Sequence, residues 1–94
     1  MADLQTRRYL IFGRVQGVGF RWFVEREAAL IGITGWVRNC DTGDVEVMAT
    51  GTREQHIALR GKLQEGPRAA RIDHVNESAA PLLEEKSFYI EGAW

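Results

Sequence analysis

The sequence predicts an α+β sandwich in which one antiparallel sheet carries two helices on a single face. Three observations predict it. The apolar pattern changes from strand to helix at Phe20, and a second helix opens at Thr52. Two short strands flank Asp41-Thr42-Gly43, a tight hairpin with glycine where a positive φ is wanted. The resulting order is strand, helix, strand, strand, helix, strand, which suits a split β-α-β arrangement. A chain of 94 residues has room for one domain, 1–94, and not for two.

The elements follow in order. Arg8 to Gly13 is aromatic and β-branched, apolar on both faces, and so reads as a central strand. Gly13, Gly17 and Gly19 then mark a loop. From Phe20 the residues Phe23, Val24, Ala28 and Ile31 fall at helical intervals, and Gly32 is the stop. Thr34 to Cys40 and Asp44 to Thr50 are the hairpin strands. The second alternates, with Val45, Val47 and Ala49 on one face and Asp44, Glu46 and Met48 on the other. Thr52-Arg53-Glu54-Gln55 is a capping box, opening a helix that carries His56, Leu59 and Leu63 inward and closes at Gly66-Pro67. In the strand from Ala70 to Glu77, Ile72 and Val75 stand three apart, which implies a bulge. Glu84-Glu85-Lys86 reads as an exposed turn, and Phe88 to Ile90 as a short last strand.

Composition narrows the function classes. Twelve basic and thirteen acidic side chains leave a net charge of −1, which speaks against a general nucleic-acid binder and makes any anion site local. A lone Cys40 forms no internal disulfide and belongs to no metal cluster. The N-terminus lacks the apolar core of a signal peptide, and no apolar run is long enough to span a bilayer. There is no repeat or interdomain linker. A soluble, cytoplasmic protein is the expectation, and a monomer, since no long apolar stripe remains for a partner.

The segment Gly13 to Arg21, GRVQGVGFR, concentrates the chemistry. Gly17, Val18 and Gly19 stand where Ser, Thr, Asp or Asn would cap the first N–H groups of the helix. Those donors, with the positive end of the helix dipole, form an anion site. Glycines let successive N–H groups curl inward, and Arg21 in the first turn brings a planar fork suited to two phosphate oxygens. The common nucleotide loops do not fit. No lysine stands where a Walker loop needs one, and Trp22 occupies the third glycine position of a dinucleotide fingerprint. On residue type alone the loop is an anion nest or a tight connection, with Arg21 and the missing cap favouring the nest.

G-R-V-Q-G-V-G-F-R followed by G-W-V-R-N (Gly35 to Asn39) resembles the two signature motifs of the acylphosphatases, and the resemblance extends over nearly the whole chain. It implies a ferredoxin-like βαββαβ sandwich. It also implies hydrolysis of the carboxyl–phosphate bond of acyl phosphates without metal or cofactor. By the same resemblance the main-chain N–H groups of Val15, Gln16, Gly17, Val18, Gly19 and Phe20 hold the phosphate, Arg21 binds it too, and Asn39 positions the attacking water. The implied partner is a small acyl phosphate or inorganic phosphate, with no nucleic acid and no membrane. Acetyl, carbamoyl and bisphosphoglycerate-type compounds are the substrate class.

Other residues invite weaker readings. Cys40 suggests a thiol phosphatase, but Glu46 stands where that loop needs arginine, and Cys40 should face away from Asn39. His56 and His74 lack metal-ligand companions. Trp22 and Trp36 read as packing residues. Arg14 and Arg38 either extend the positive field of the site or lie solvated. Two alternatives remain: a non-catalytic module, such as occurs at the front of carbamoyl-transfer maturation proteins, and an RNA-binding sandwich. The second lacks an aromatic pair on its central strands.

Overall fold

The computed structural model describes residues 3–92. Its strands are β1 (Gln5–Arg14), β2 (Thr34–Asn39), β3 (Val45–Gly51), β4 (Arg71–Ala79) and β5 (Phe88–Ile90), and its helices are α1 (Phe20–Ile31) and α2 (Arg53–Glu65). The sheet order is β4-β1-β3-β2-β5. As its two apolar faces imply, β1 is central, antiparallel to both β3 and β4. The sheet is not purely antiparallel: β5 pairs with β2 in parallel. A three-residue strand at the end of the chain carries too little periodicity to reveal its direction.

Alternation along the strands sets the inner face. Tyr9, Ile11, Val37, Val45, Val47 and Ala49 are fully buried beneath two helices that contribute Phe20, Val24 and Ala28 from α1 and His56, Leu59 and Leu63 from α2. Each large apolar side chain so removed from water is worth about 1.5–3 kcal/mol. The capping box forms as expected, with Gln55 N–H donating to Thr52 Oγ1 (3.2 Å) and Thr52 N–H to Gln55 Oε1 (2.9 Å). The bulge forms too. Phe12 faces His74 while Gly13 faces Ile72, so Asp73 is the extra residue, and both Ile72 and Val75 return to the core.

Gly13, the last residue of the expected strand and the first of the glycines marking the loop, lies within β1, which runs from Gln5 on to Arg14. A Cβ there would lie 2.0 Å from Arg71 O, so glycine is required where β4 bulges close against β1. Trp22 also departs from expectation, being 69% exposed on α1 instead of packed. Trp36 is half-buried on the helix-free face, beside Tyr89 of β5.

Candidate active site

The loop Val15–Gly19 joins the end of β1 to the start of α1. Val15 and Phe20, its two ends, are 1% exposed, so the core anchors the loop at both sides and only their main chain is available to a ligand. Gly17 (φ 73°) and Gly19 (φ 78°) are left-handed. A Cβ at either would meet nothing within 4 Å, so their requirement is the backbone curl itself. Gly19 is the N-cap of α1 and supplies no side-chain cap. The first hydrogen bond at the helix start is Phe23 N–H to Gly19 O (3.1 Å). From Gln16 to Trp22 no main-chain N–H has a partner among the described residues. Arg21, half-buried in the first turn, makes no ion pair or side-chain hydrogen bond among them.

Asn39 reaches the same end of the sheet by register. It pairs with Val45, which pairs with Ile11, and cross-strand partners share a face at about 5 Å per strand. Asn39 therefore stands on the helix-covered face, about two strands from Ile11 and close to where β1 gives way to the loop. Its Oδ1 is buried and has no hydrogen-bond partner among the described residues. An orphaned buried acceptor is costly and marks a place where a ligand or water completes the structure.

Gln16 ties these two parts together. Its Nε2 donates to Cys40 O (2.8 Å) and to Asp44 O (3.0 Å), fastening the loop to the hairpin directly after Asn39. Sequence reasoning placed Gln16 in the loop for its main-chain N–H and missed this side-chain role. Only the register, which brings the hairpin beside the loop, reveals it.

The remaining candidates add no catalytic group. Burial first, then the Asp44 and Glu46 carboxylates, push the Cys40 thiol above its usual range. It stays protonated and un-nucleophilic. Arg38 does not extend the field of the site. It lies on the opposite face, its Nε 2.6 Å from Glu46 Oε1, over the Trp36 ring. Glu46 is buried, yet the hydrogen bonds from Arg8 and Arg38 outweigh burial and hold its pKa below the usual carboxylate range. Arg14 is exposed at the end of β1. His74 stacks on Phe12 (4.6 Å between ring centres). His56 is a core residue: its Nε2 lies 2.7 Å from Gln5 O and must donate, so its Nδ1 accepts from Tyr9 Oη (2.7 Å). Among the described residues no three of His, Cys, Asp and Glu gather as a metal-ligand set, and no helix is long and apolar enough to cross a membrane.

An uncapped, glycine-curled helix start, an arginine in its first turn and an asparagine at the same end of the sheet, the last two without side-chain partners among the described residues, lie in a sequence matched from 7 to 90 by the family model for acylphosphatase. The chain belongs to the acylphosphatase family. It is 57% identical over 91 residues to an acylphosphatase of Koribacter versatilis, covering 96% of this chain and 83% of that one. Among solved structures it is similar to an acylphosphatase from Coxiella burnetii, with a TM-score of 0.90 and 34% identity, covering 95% of this chain and 94% of the other. It is also similar to the acylphosphatase from Bacillus subtilis, with a TM-score of 0.89 and 33% identity over 96% of this chain and all (100%) of that one. These acylphosphatases share the ferredoxin-like α+β architecture, two helices on one face of a five-stranded sheet.

Proposed function

We propose that this acylphosphatase-family chain hydrolyses small acyl phosphates to carboxylate and inorganic phosphate by direct attack of water. Main-chain N–H groups of Val15 to Phe20 and the guanidinium of Arg21 hold the phosphoryl oxygens. Asn39 orients the water through its carboxamide. The observation that carries this reading is the orphaned Asn39 Oδ1, an acceptor able to take a hydrogen bond from water, at the same end of the sheet as the unpartnered amides of the loop.

The chemistry suits such sparse equipment. Water oxygen bonds to phosphorus, the bond from phosphorus to the carboxyl oxygen breaks, and the carboxylate leaves with the bonding pair. As a good leaving group it needs no general acid. Phosphoryl transfer rests on positioning and on stabilising charge on the equatorial oxygens. Asn39 takes no proton, so the proton of the water passes to a phosphate oxygen of the substrate. The reading includes a cytoplasmic monomer acting on small substrates.

The test is release of inorganic phosphate from benzoyl phosphate in the presence of a metal chelator. Turnover undiminished by the chelator is the expected result. No release from folded protein would replace the enzyme reading with a binding module.

A further inference from the structure

A cavity of about 310 Å³ lies far from the phosphate loop, between the exposed side of α2 and the start of β1. Arg7, Arg53 and Arg60 line it, with Glu77 as the one carboxylate among the described residues. At about 3.4 Å per residue, Arg7 is roughly 24 Å along β1 from Arg14, so this is not an extension of the loop site. Glu54, the acidic neighbour of Arg53, does not line it. Three guanidiniums against one carboxylate give the cavity a local excess of positive charge in a chain whose net charge is −1.

The arrangement holds the cations in place without using them up. Glu77 pairs through Oε2 with Arg7 and through Oε1 with Arg60 Nη1 (2.9 Å), so one carboxylate pins two guanidiniums. Arg7 Nε is buried against Glu77, so this guanidinium is fixed at the floor of the cavity. Arg53 has no ion pair among the described residues. His56 closes the inner side as a neutral ring, both nitrogens committed to Gln5 O and Tyr9 Oη. It therefore adds no negative charge, and the positive end of the α2 dipole nearby favours an anion further.

We propose that this cavity is a second anion site, taking a small, multiply charged phosphorylated compound whose oxygens engage Arg53 and Arg60 with Arg7 beneath. Planar guanidiniums fixed by a shared carboxylate match phosphate oxygens at low entropic cost. The volume of about 310 Å³ has room for one or two phosphate groups.

The experiment titrates inorganic pyrophosphate into the ¹⁵N-labelled Arg21→Ala chain at constant ionic strength. The Arg Nε–Hε signals and the backbone amides of Gln5, His56 and Ile57 are followed. Saturable shifts at these positions are expected, with affinity falling about tenfold in Arg53→Gln and in Arg60→Gln, the loss expected of one charge-assisted contact. Non-saturating drift shared by exposed arginines throughout the chain would overturn the proposal, as would shifts confined to residues 15–22. Benzoyl phosphate turnover in the Arg53→Gln chain with Arg21 intact reports the loop site separately, and unchanged turnover is expected.

Discussion

Replacing Gln16 by Met keeps length and shape but removes both donors that fasten the loop to the hairpin. The two acceptors are not orphaned by the change. Cys40 O still accepts from Gly43 N–H (3.1 Å), and Asp44 O still accepts from Cys40 N–H (2.9 Å). The loss is therefore only the net worth of two neutral hydrogen bonds, about 1–2 kcal/mol in all. The loop keeps Val15 and Phe20 in the core and Arg21 in its helix, so phosphate is still gripped. What relaxes is the spacing between that grip and the water held by Asn39. At about 1.4 kcal/mol per factor of ten, kcat for benzoyl phosphate should fall roughly five- to thirtyfold. The inhibition constant of inorganic phosphate should change by less than about threefold, because the groups that bind phosphate are untouched. Steady-state kinetics with phosphate as competitor measures both, and a denaturation curve measures stability. Unchanged kcat in a chain destabilised as expected would show that the tie serves the fold alone. Equal losses of kcat and phosphate affinity would show that Gln16 shapes the grip itself.

Two further expectations concern groups that the site does not use. Cys40→Ala should retain kcat within about twofold, because a thiol kept protonated by burial contributes no nucleophile; loss of turnover with phosphate binding intact would reinstate it. His56 is held neutral, its pKa lowered first by burial. Stability attached to it is complete above the ordinary histidine range and declines as pH falls, because the unfolded chain then takes the proton first. Urea denaturation between pH 8 and pH 5 should show this decline, and His56→Gln should flatten it. An unaltered slope in that variant would assign the decline to other groups.

Much of the fold was legible because local signals agreed with one another. Thr52 and Gln55 spell out a cap, Gly32 a helix stop, and the spacing of Ile72 and Val75 a bulge, each requiring only neighbours in sequence. The direction of β5 and the close approach of β4 that requires glycine at Gly13 were not legible, since both depend on strands far away in the chain. The loop was readable as an anion nest because a missing cap is itself a local signal. Asn39 was not: nothing in its own neighbourhood distinguishes it, and only the resemblance singled it out. Its position near the loop follows from the chain of register Asn39, Val45, Ile11. Trp22 shows the opposite error: residue type suggested packing, whereas it is exposed on α1. For Arg38 residue type left a field around the site and a solvated role both open, and its ion pair with buried Glu46 on the far face decides against the first.

The division of labour between Arg21 and Asn39 is the central claim, and a paired measurement of kcat and of the phosphate inhibition constant in Arg21→Ala and Asn39→Ala tests it most directly. Arg21→Ala should lose turnover by about a hundredfold or more and weaken phosphate at least tenfold, since a bidentate charge-assisted contact is gone. Asn39→Ala should lose turnover on a similar scale while phosphate binds within about threefold of the parent, the mark of a group needed only in the transition state. Phosphate affinity unchanged without Arg21, or lost without Asn39, would contradict the account.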